Sequence, residues 1–591
     1  MEAEVVVVGA GPVGLLLAAE LALAGVRPIV LERLAEPSDQ PKARGIGPLA
    51  AEALRRRGLG AELDREHEHG LRKLERDHGT TRFHFAWIHK IDPIAADPGR
   101  RGALIGQPAL EALLRRHLQD LGVEVLFGHT VTGLETAAGV GLDHPLGVGP
   151  DLRPSVAPAL RLGAGPALRS GAPGEPGIGD GVSGSVLTVD TPTGPRRIAA
   201  GYVVGCDGGR SAVRKLAGFD FPGTPPLMTV RFARAGVVGS LPAPGRLANG
   251  TLFHGDGLVA TYDFLDTEPD RSAPLTAEEM RASVHRVTGV DVEITEFQGG
   301  MRFTDQARQV DSYRRGRTLL AGDAAHVHSP NGGQGLNLGL MDAMNLGWKL
   351  AAAVHGNGTL PDPHGALPHT YDTLLDSYDA ERRPVGAAVL ANTRAQSALL
   401  VPGPHVDALR DVFSDLMDLP EVNRHLSRLL SGVTIRHEMP YPATHPLTGM
   451  ACPPLTVDGV PLEELTTDGH ALLLHPDAEG IQTLLRPDAE GIQALPRPDA
   501  EGIASGRVKA VTAKDLGDDR LAAVLLRPDG VIAWAAAPGD DLRRAPGGDS
   551  QAAPGDDSQA APGDDSDLEG LRRALDTWFR GSRQSTAHAA A

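Results

Sequence analysis

Gly9, Gly11, Pro12 and Gly14 stand in the run GAGPVG, directly after four consecutive valines, Val5 to Val8, and before the apolar stretch Leu15 to Ala24. Four β-branched residues in a row suit a strand buried on both faces of a parallel sheet. Glycines at this spacing do three separate jobs. Gly9 permits a tight turn, Gly11 lets a pyrophosphate approach the amides at a helix start, and Gly14 lets that helix lie close to the sheet. The next strand, Arg27 to Leu31, ends at Glu32, with Arg33 beside it. A carboxylate there is placed to accept the ribose hydroxyls of an adenosine that lacks a 2′-phosphate. The pattern reads as dinucleotide binding and does not by itself choose between FAD and NAD.

Two later stretches repeat the strand-to-turn theme. Tyr202-Val-Val-Gly205 runs into Cys206-Asp207-Gly208-Gly209-Arg210-Ser211 and a short helix, Ala212 to Ala217. Arg317 to Ala321 runs into Gly322-Asp323, then Pro330-Asn-Gly-Gly-Gln-Gly335-Leu336-Asn337 and a long helix through Lys349. An aspartate at a strand end can meet a ribose hydroxyl, and a glycine-rich nest or helix start can meet phosphate or a polarised ring edge. Each alone is also compatible with an ordinary strand-to-helix turn.

Taken together, Gly9 to Gly14, Cys206-Asp207-Gly208 and Gly322-Asp323 resemble the three signature motifs of the flavin-dependent aromatic hydroxylases of the p-hydroxybenzoate hydroxylase type. Within that family the chain is most similar to actinobacterial aromatic-polyketide hydroxylases, including those of angucycline biosynthesis. Supporting stretches are Arg44-Gly45, Gln107 with Leu110 and Glu111, Arg308-Gln309-Val310, and Ser377 to Pro384. The resemblance implies that Gly9, Gly11, Pro12 and Gly14 bind FAD, that Glu32 and Arg33 hold its adenosine end, and that Arg44 and Gln107 contact its pyrophosphate region. It implies that Asp323 binds the ribityl or phosphate portion. The stretch from Pro330 to Asn337 would set the backbone donors of Gly335, Leu336 and Asn337 near flavin N1 and O2. Asp207 belongs to a motif used both in FAD binding and in access of the nicotinamide cofactor. No second complete fingerprint is visible, as fits a transient NADPH or NADH.

The implied activity is a monooxygenation. The nicotinamide would reduce FAD, O₂ would add at flavin C4a, and the terminal oxygen of that hydroperoxide would pass to an electron-rich ring of a polycyclic aromatic polyketide. No side chain is nominated as a nucleophile or general acid, because the cofactor carries the reactive group. Relatives of similar signature instead insert oxygen in the Baeyer–Villiger manner or hydroxylate a rifamycin-like antibiotic. A reading of another class is a non-catalytic flavin-binding interaction protein, which would hold flavin without substrate-stimulated turnover.

Several tempting residues take plainer readings. His326 and His328 have no convergent third ligand, so no metal site is expected. His67, His69 and His78 lie in charged sequence that suits a solvated helix. Arg302 could touch flavin or substrate, and equally could form an interdomain or surface salt bridge. No SxxK, GxSxG or HExxH occurs in a convincing context, which leaves hydrolase readings without support.

The elements that must position these residues imply an α/β chain, α+β overall. A Rossmann-like FAD-binding domain of the glutathione-reductase type is expected at 1–73, 102–225 and 303–395, discontinuous and interrupted by a flexible glycine- and proline-rich insertion at 137–184. An interleaved β-rich substrate domain would take 74–101 and 226–302, with strands within Leu252 to Phe264 and Val290 to Phe303 and a helix from Thr276 to Val287. A helical connector at 396–440 would lead to a C-terminal thioredoxin-like domain at 441–591. There, Gly459 to Leu473, Val508 to Val511 and Leu521 to Ala535 read as strand-like, and Leu571 to Phe579 as a final helix. Low-complexity insertions are expected at 476–506, where PDAEGI recurs at Pro476, Pro487 and Pro498, and at 538–569, where the octet QAAPGDDS is repeated.

Composition bounds the rest. The 591 residues suffice for several cores, and 73 glycines and 47 prolines place much of the chain in loops. With 57 Lys and Arg against 75 Asp and Glu, the formal net charge of −18 argues against a nucleic-acid backbone reader or a polybasic membrane binder. Cys206 and Cys452 are the only cysteines, so neither a disulfide scaffold nor a CxxC redox or zinc site is expected. No signal peptide or membrane span is read, and the expectation is a soluble cytoplasmic monomer or homodimer whose partners are a polycyclic aromatic small molecule and O₂.

Overall fold

The computed structural model describes residues 2–40, 42–78, 83–92, 99–136, 184–255, 257–266, 273–355, 374–476, 481, 508–540, 542 and 567–579. Apart from their edges, the tract at 137–184, the three short repeats and the acidic octets lie outside the described residues. Among the described residues no helix is long and apolar enough to cross a membrane.

Val5, Val6 and Val7 are fully buried because the strand Glu2–Val8 is central in an eight-stranded sheet. Its parallel neighbours are Pro28–Glu32 on one side and Gly194–Gly205 on the other. Beyond these lie Val125–Phe127 and Thr318–Leu320, also parallel. The registers align Val8 with Leu31 and Gly205, and Gly205 with Leu320. All three sequence motifs therefore leave the sheet at the same edge, from the carboxyl ends of adjacent strands, where ligands bind in open α/β sheets. Ser185–Thr191 and Thr130–Thr136 extend the sheet antiparallel. Helix Pro12–Leu23 and the long helix Gln334–Val354 pack together over it in one core with the valine strand.

A separate five-stranded antiparallel sheet is ordered Gly245–Leu247, Gly250–Gly255, Leu258–Asp263, Thr229–Arg234, Gly300–Thr304. Helix Ala277–Thr288 covers one face. Thr276 starts it by accepting the Glu279 amide (3.2 Å), and Gly289 ends it with φ +72°. The expected β-rich run Val290 to Phe303 divides into Glu293–Thr295 and Gly300–Thr304.

The C-terminal unit holds a four-stranded sheet ordered Val508–Thr512, Ala471–His475, Ala523–Leu526, Ile532–Ala536, with helix Asp567–Phe579 packed against it. Gly459 to Leu473 is not one strand. Pro461, which has no N–H to donate, closes a two-residue pairing of Thr456–Val457 with Val460–Pro461, and Glu463 and Glu464 then favour the helical turn Leu462–Leu465 before the strand begins at Ala471.

Candidate active site

The glycines of the first turn divide by what surrounds them. A Cβ on Gly9, whose φ is +105°, would sit 2.5 Å from the Cys206 carbonyl oxygen, and one on Gly14 would sit 2.0 Å from the Gly9 carbonyl oxygen. Those two close the fold. A Cβ on Gly11 would meet no atom of the chain within 4 Å, so this side of the turn is open. Gly11 precedes Pro12 at the helix start and supplies no side-chain cap, which leaves first-turn amides directed at that space. Glu32 spans the turn: Oε2 accepts the Ala10 amide and Oε1 the Leu34 amide, both at 2.9 Å. Arg33 is exposed beside it.

The second motif caps its own helix. Asp207 Oδ2 accepts the amides of Ala212 (2.6 Å) and Val213 (3.2 Å), while Oδ1 is buried without a hydrogen-bond partner. Arg214 then joins the second motif to the third, donating to Gly209 O and Ala324 O at 2.8 Å each.

In the third motif Asp323 is exposed on a single turn, Gly322–Ala324. Gly322 and Gly339 form a notch for Val13 of the fingerprint helix, since a Cβ on either would come within 3.1 Å of that valine. Behind the turn, Asp342 Oδ2 accepts the Gly322 amide (3.1 Å) and meets His326 Nε2 (2.8 Å), while Oδ1 accepts from Arg382 Nε (2.8 Å). Burial alone would raise the Asp342 pKa, but Arg382 and His326 outweigh it and hold the carboxyl below its ordinary value. His326 is thereby a buried partner of a carboxylate. Among the described residues no group of His, Cys, Asp and Glu is arranged to hold a metal ion.

Pro330 is exposed at the head of the glycine loop, and Gly335, Leu336 and Asn337 lie in the first turn of helix Gln334–Val354, which has no side-chain cap. The Asn337 side chain is committed to backbone. Oδ1 accepts the Gly47 amide (2.6 Å) and Nδ2 donates to Gly333 O (2.9 Å). Gln107 opens helix Gln107–Asp120, donating from its amide to Ala43 O (3.0 Å) and from Nε2 to Glu111 (2.9 Å). Arg44, next to that contact, extends its guanidinium over Phe253 of the antiparallel sheet, 5.6 Å from the ring centre.

His328 was passed over as a ligand by sequence reasoning and belongs with these residues. Burial lowers its pKa, Nδ1 contacts Ser329 O (2.7 Å), and Nε2 is buried without a partner, 3.4 Å from where a Cβ on Gly335 would stand. Its position between Asp323 and Gly335 was the available signal. Buried polar atoms without partners recur along these loops: Asp207 Oδ1, His326 Nδ1, His328 Nε2, Ser329 Oγ and Asn331 Nδ2. Such atoms are rare in folded chains unless a bound group or water satisfies them. With the open space over Gly11, they fit a polar, extended cofactor laid across the three turns.

The face of the antiparallel sheet that Arg44 meets through Phe253 presents Phe232, Phe253, Tyr262, Met301 and Phe303, which the registers place on one face and which are all half-buried. The opposite face carries Arg231 and Arg302, both paired with Glu279 of the covering helix. Arg302 also donates to the Ala273 and Pro274 carbonyls, so its ion pair is neither interdomain nor at the surface and lies between the sheet and its own covering helix.

A family model described as FAD binding domain matches residues 2–140 and 178–393, and one described as aromatic-ring hydroxylase, C-terminal, matches 445–547. The 12-dehydrotetracycline 5-monooxygenase/anhydrotetracycline 6-monooxygenase of Streptomyces rimosus subsp. rimosus is 37% identical over 566 residues, covering 91% of this chain and 96% of that one. A rifampicin monooxygenase of Streptomyces venezuelae is 33% identical, covering 91% and 97%. Among solved structures, an aromatic hydroxylase from angucycline biosynthesis superposes with a TM-score of 0.70 at 32% identity, covering 99% of this chain and 100% of that one.

Proposed function

The chain belongs to the FAD-binding aromatic-ring hydroxylases and is a flavin-dependent monooxygenase of aromatic polyketide-type substrates, and within that activity we propose ring hydroxylation of a flat, polycyclic phenol. The observation that carries the reading is a pair of surfaces joined through Arg44: three cofactor-type turns at one edge of a parallel sheet, and the half-buried aromatic face of a second sheet whose Phe253 lies under the Arg44 guanidinium. The net reaction consumes the phenol, O₂, NADPH or NADH and a proton, and releases the hydroxylated phenol, water and the oxidised nicotinamide. FAD, when bound, supplies the redox and oxygen-activating chemistry that no side chain can provide.

The chain's own residues bind, orient and exclude water. Gly11 and the helix amides that follow would take the pyrophosphate, Glu32 and Arg33 the adenosine end, and Arg44 and Gln107 the adjoining span. Asp323 would meet the ribityl or phosphate portion. Amides at Gly335, Leu336 and Asn337 would donate to the ring edge where negative charge gathers on reduction, a preorganised stabilisation at a helix start. His328 Nε2, an acceptor if Nδ1 carries the proton toward Ser329 O, would face a donor of the same ring. The apolar sheet face would bury the substrate and keep water from the reacting atoms.

In the same reading the FAD-binding unit takes 1–73, 102–225 and 303–395, and the substrate unit takes 74–101 and 226–302. The C-terminal unit is thioredoxin-like, supported by a sheet in which the first two strands in sequence run parallel and the third and fourth pair antiparallel beside the first. Its Cys452 and the distant Cys206 are both buried and free, and burial pushes both thiols up, Cys452 to about 12. Inert reduced thiols suit a cytoplasmic protein.

The test is a visible spectrum of the purified protein, anaerobic reduction with NADPH, then O₂ and a panel of tetracyclic and angucyclinone phenols followed by mass spectrometry. Substrate-accelerated reduction and a gain of one oxygen with the carbon skeleton intact support ring hydroxylation. A lactone or ester product replaces it with Baeyer–Villiger insertion, and turnover confined to a rifamycin moves the substrate class. No flavin after reconstitution defeats the cofactor assignment.

A further inference from the structure

The hairpin formed by Phe83–Phe85 and Ile88–Ile91 is closed by two residues, Ala86 and Trp87, both in the left-handed region with φ of +49° and +62°. Turns of this hand favour glycine or asparagine, and a tryptophan there is strained unless its surroundings over-determine it. They do. The Trp87 amide donates to His84 Nδ1 (3.3 Å), the Ala86 amide donates to Gln396 Oε1 (3.2 Å), and Arg410 donates to the Ala86 carbonyl (2.7 Å). Gln396 in turn lies against the glycine loop, for a Cβ on Gly332 would come within 2.9 Å of its Nε2. The strained turn is thus braced against the loop that leads into Gly335 and Asn337.

Its indole meets the antiparallel sheet. Trp87 meets Tyr262 edge-on with ring centres 5.8 Å apart, while His84 stacks on it at 5.6 Å and His89 approaches edge-on at 5.8 Å. Trp87 Nε1 is buried beside the Tyr262 hydroxyl, whose pKa burial raises. Tyr262 shares its sheet face with Phe253 and Phe232. The indole therefore stands between the aromatic sheet face and a turn braced on the glycine loop.

We propose that Trp87, held by the strained Ala86–Trp87 turn, is a specificity-determining residue that sets how many fused rings the cleft admits and how a polycyclic phenol lies relative to the glycine loop. The inference rests on the hydroxylase reading above. A rigid ring in a braced turn discriminates by shape, which a mobile loop side chain cannot do. Truncation removes the indole and leaves the three cofactor turns untouched.

The test compares the FAD-loaded wild type with Trp87→Ala and Trp87→Phe, using bicyclic, tricyclic and tetracyclic phenols. Binding is read from the perturbation of the flavin spectrum, turnover from oxygenated product, and uncoupling from hydrogen peroxide. Trp87→Ala is expected to keep its flavin and its substrate-free reduction by NADPH. It should weaken tetracyclic binding about tenfold or more, change bicyclic binding much less, and release more peroxide per NADPH. Trp87→Phe, which keeps a ring in the turn, should recover most of the discrimination. Flavin-loaded Trp87→Ala with an unchanged ring-count preference overturns the proposal, and so does a preference lost equally in Trp87→Phe. Wild-type protein that binds the phenols but oxygenates none of them defeats the hydroxylation reading instead, while the binding series still decides the role of Trp87. Wild type that binds no phenol defeats both.

Discussion

Gly11 and Gly14 stand three residues apart in one turn, yet the same substitution should act on them in opposite ways. Gly11 has φ −72° and ψ 176°, a conformation open to any residue, and an added Cβ meets nothing of the chain within 4 Å. Gly11→Ala should therefore leave the apoprotein intact, and by restricting the unfolded chain could raise its stability by about 0.4–1 kcal/mol. If the FAD pyrophosphate crosses that open space, the new methyl meets it instead. Overpacking of this kind costs about 1–3 kcal/mol, a factor of about 5 to 150 in affinity. At Gly14 the added carbon lies 2.0 Å from the Gly9 carbonyl oxygen, a backbone atom with no rotamer to yield, so Gly14→Ala should disrupt the fold with or without flavin. The assay pairs the thermal midpoint of each apoprotein with an FAD titration by flavin fluorescence. Gly11→Ala that binds FAD within twofold of wild type would show that the pyrophosphate does not pass over Gly11. Gly11→Ala that loses the apoprotein fold would show that the space is not open.

The remaining expectations concern the buried charges. Arg527→Met should cost about 3–5 kcal/mol in urea denaturation, because it strips Glu381 and Asp529 of a guanidinium that bonds both from full burial; an unchanged midpoint refutes the pairing. Asp342→Asn should destabilise by a similar amount and lower the flavin retained through gel filtration, since Arg382, His326 and the Gly322 amide all converge on that carboxylate; full retention would separate it from the cofactor loop. His84 and His437 are both lowered to about 4, chiefly by burial, so both are neutral in the folded chain at pH 7. The unfolded chain takes up their protons below about pH 6.5. Stability should accordingly fall as pH drops from about 6.5 toward 4, by roughly 3 kcal/mol per histidine at most, and urea midpoints that are flat over that window would refute the assignment.

The three strand-end turns were legible because their sequence signals are local. A valine run and three glycines within the first 14 residues specify strand, turn and helix, and each motif reports its own strand end. The family-like stretches Arg308-Gln309-Val310 and Ser377 to Pro384 were legible as sequence but not as mechanism. In the structure they are scaffold: Gln309 donates to Tyr313 and to the Arg383 carbonyl, Arg382 pairs with Asp342, and Glu381 turns the other way to Arg527. What could not be read was contact between distant residues. Asn337 was expected to serve through its backbone, and its side chain proves to staple Gly47, 290 positions away. Trp87 carries no signal at all without its φ angle, because Ala-Trp is not a turn dipeptide. Only the backbone shows that the surroundings force it into one.

Those distant contacts have a pattern along the helix Gln334–Val354. Asp342, Asn345 and Lys349 recur at i, i+3 and i+7, so they share one face, and all three are buried. Asp342 is bonded toward the Gly322 turn and Arg382. Asn345 donates to Glu381 (2.7 Å) and to Asp529 of the C-terminal unit (3.0 Å), and Lys349 pairs with Glu381 at 3.1 Å. Burial lowers the Lys349 ammonium to about 8 despite its carboxylate partner, so this is not the arrangement that would maximise stability. A well-packed apolar stripe would serve stability better, but it would tolerate sliding of the helix along its neighbours. A polar stripe does not, because a shift of one turn would leave Asp342 and Lys349 buried without partners at once. The helix start that presents Gly335, Leu336 and Asn337 is thus fixed along its axis from its far end. The C-terminal unit, through Arg527 and Asp529, completes the set of charges that fixes it.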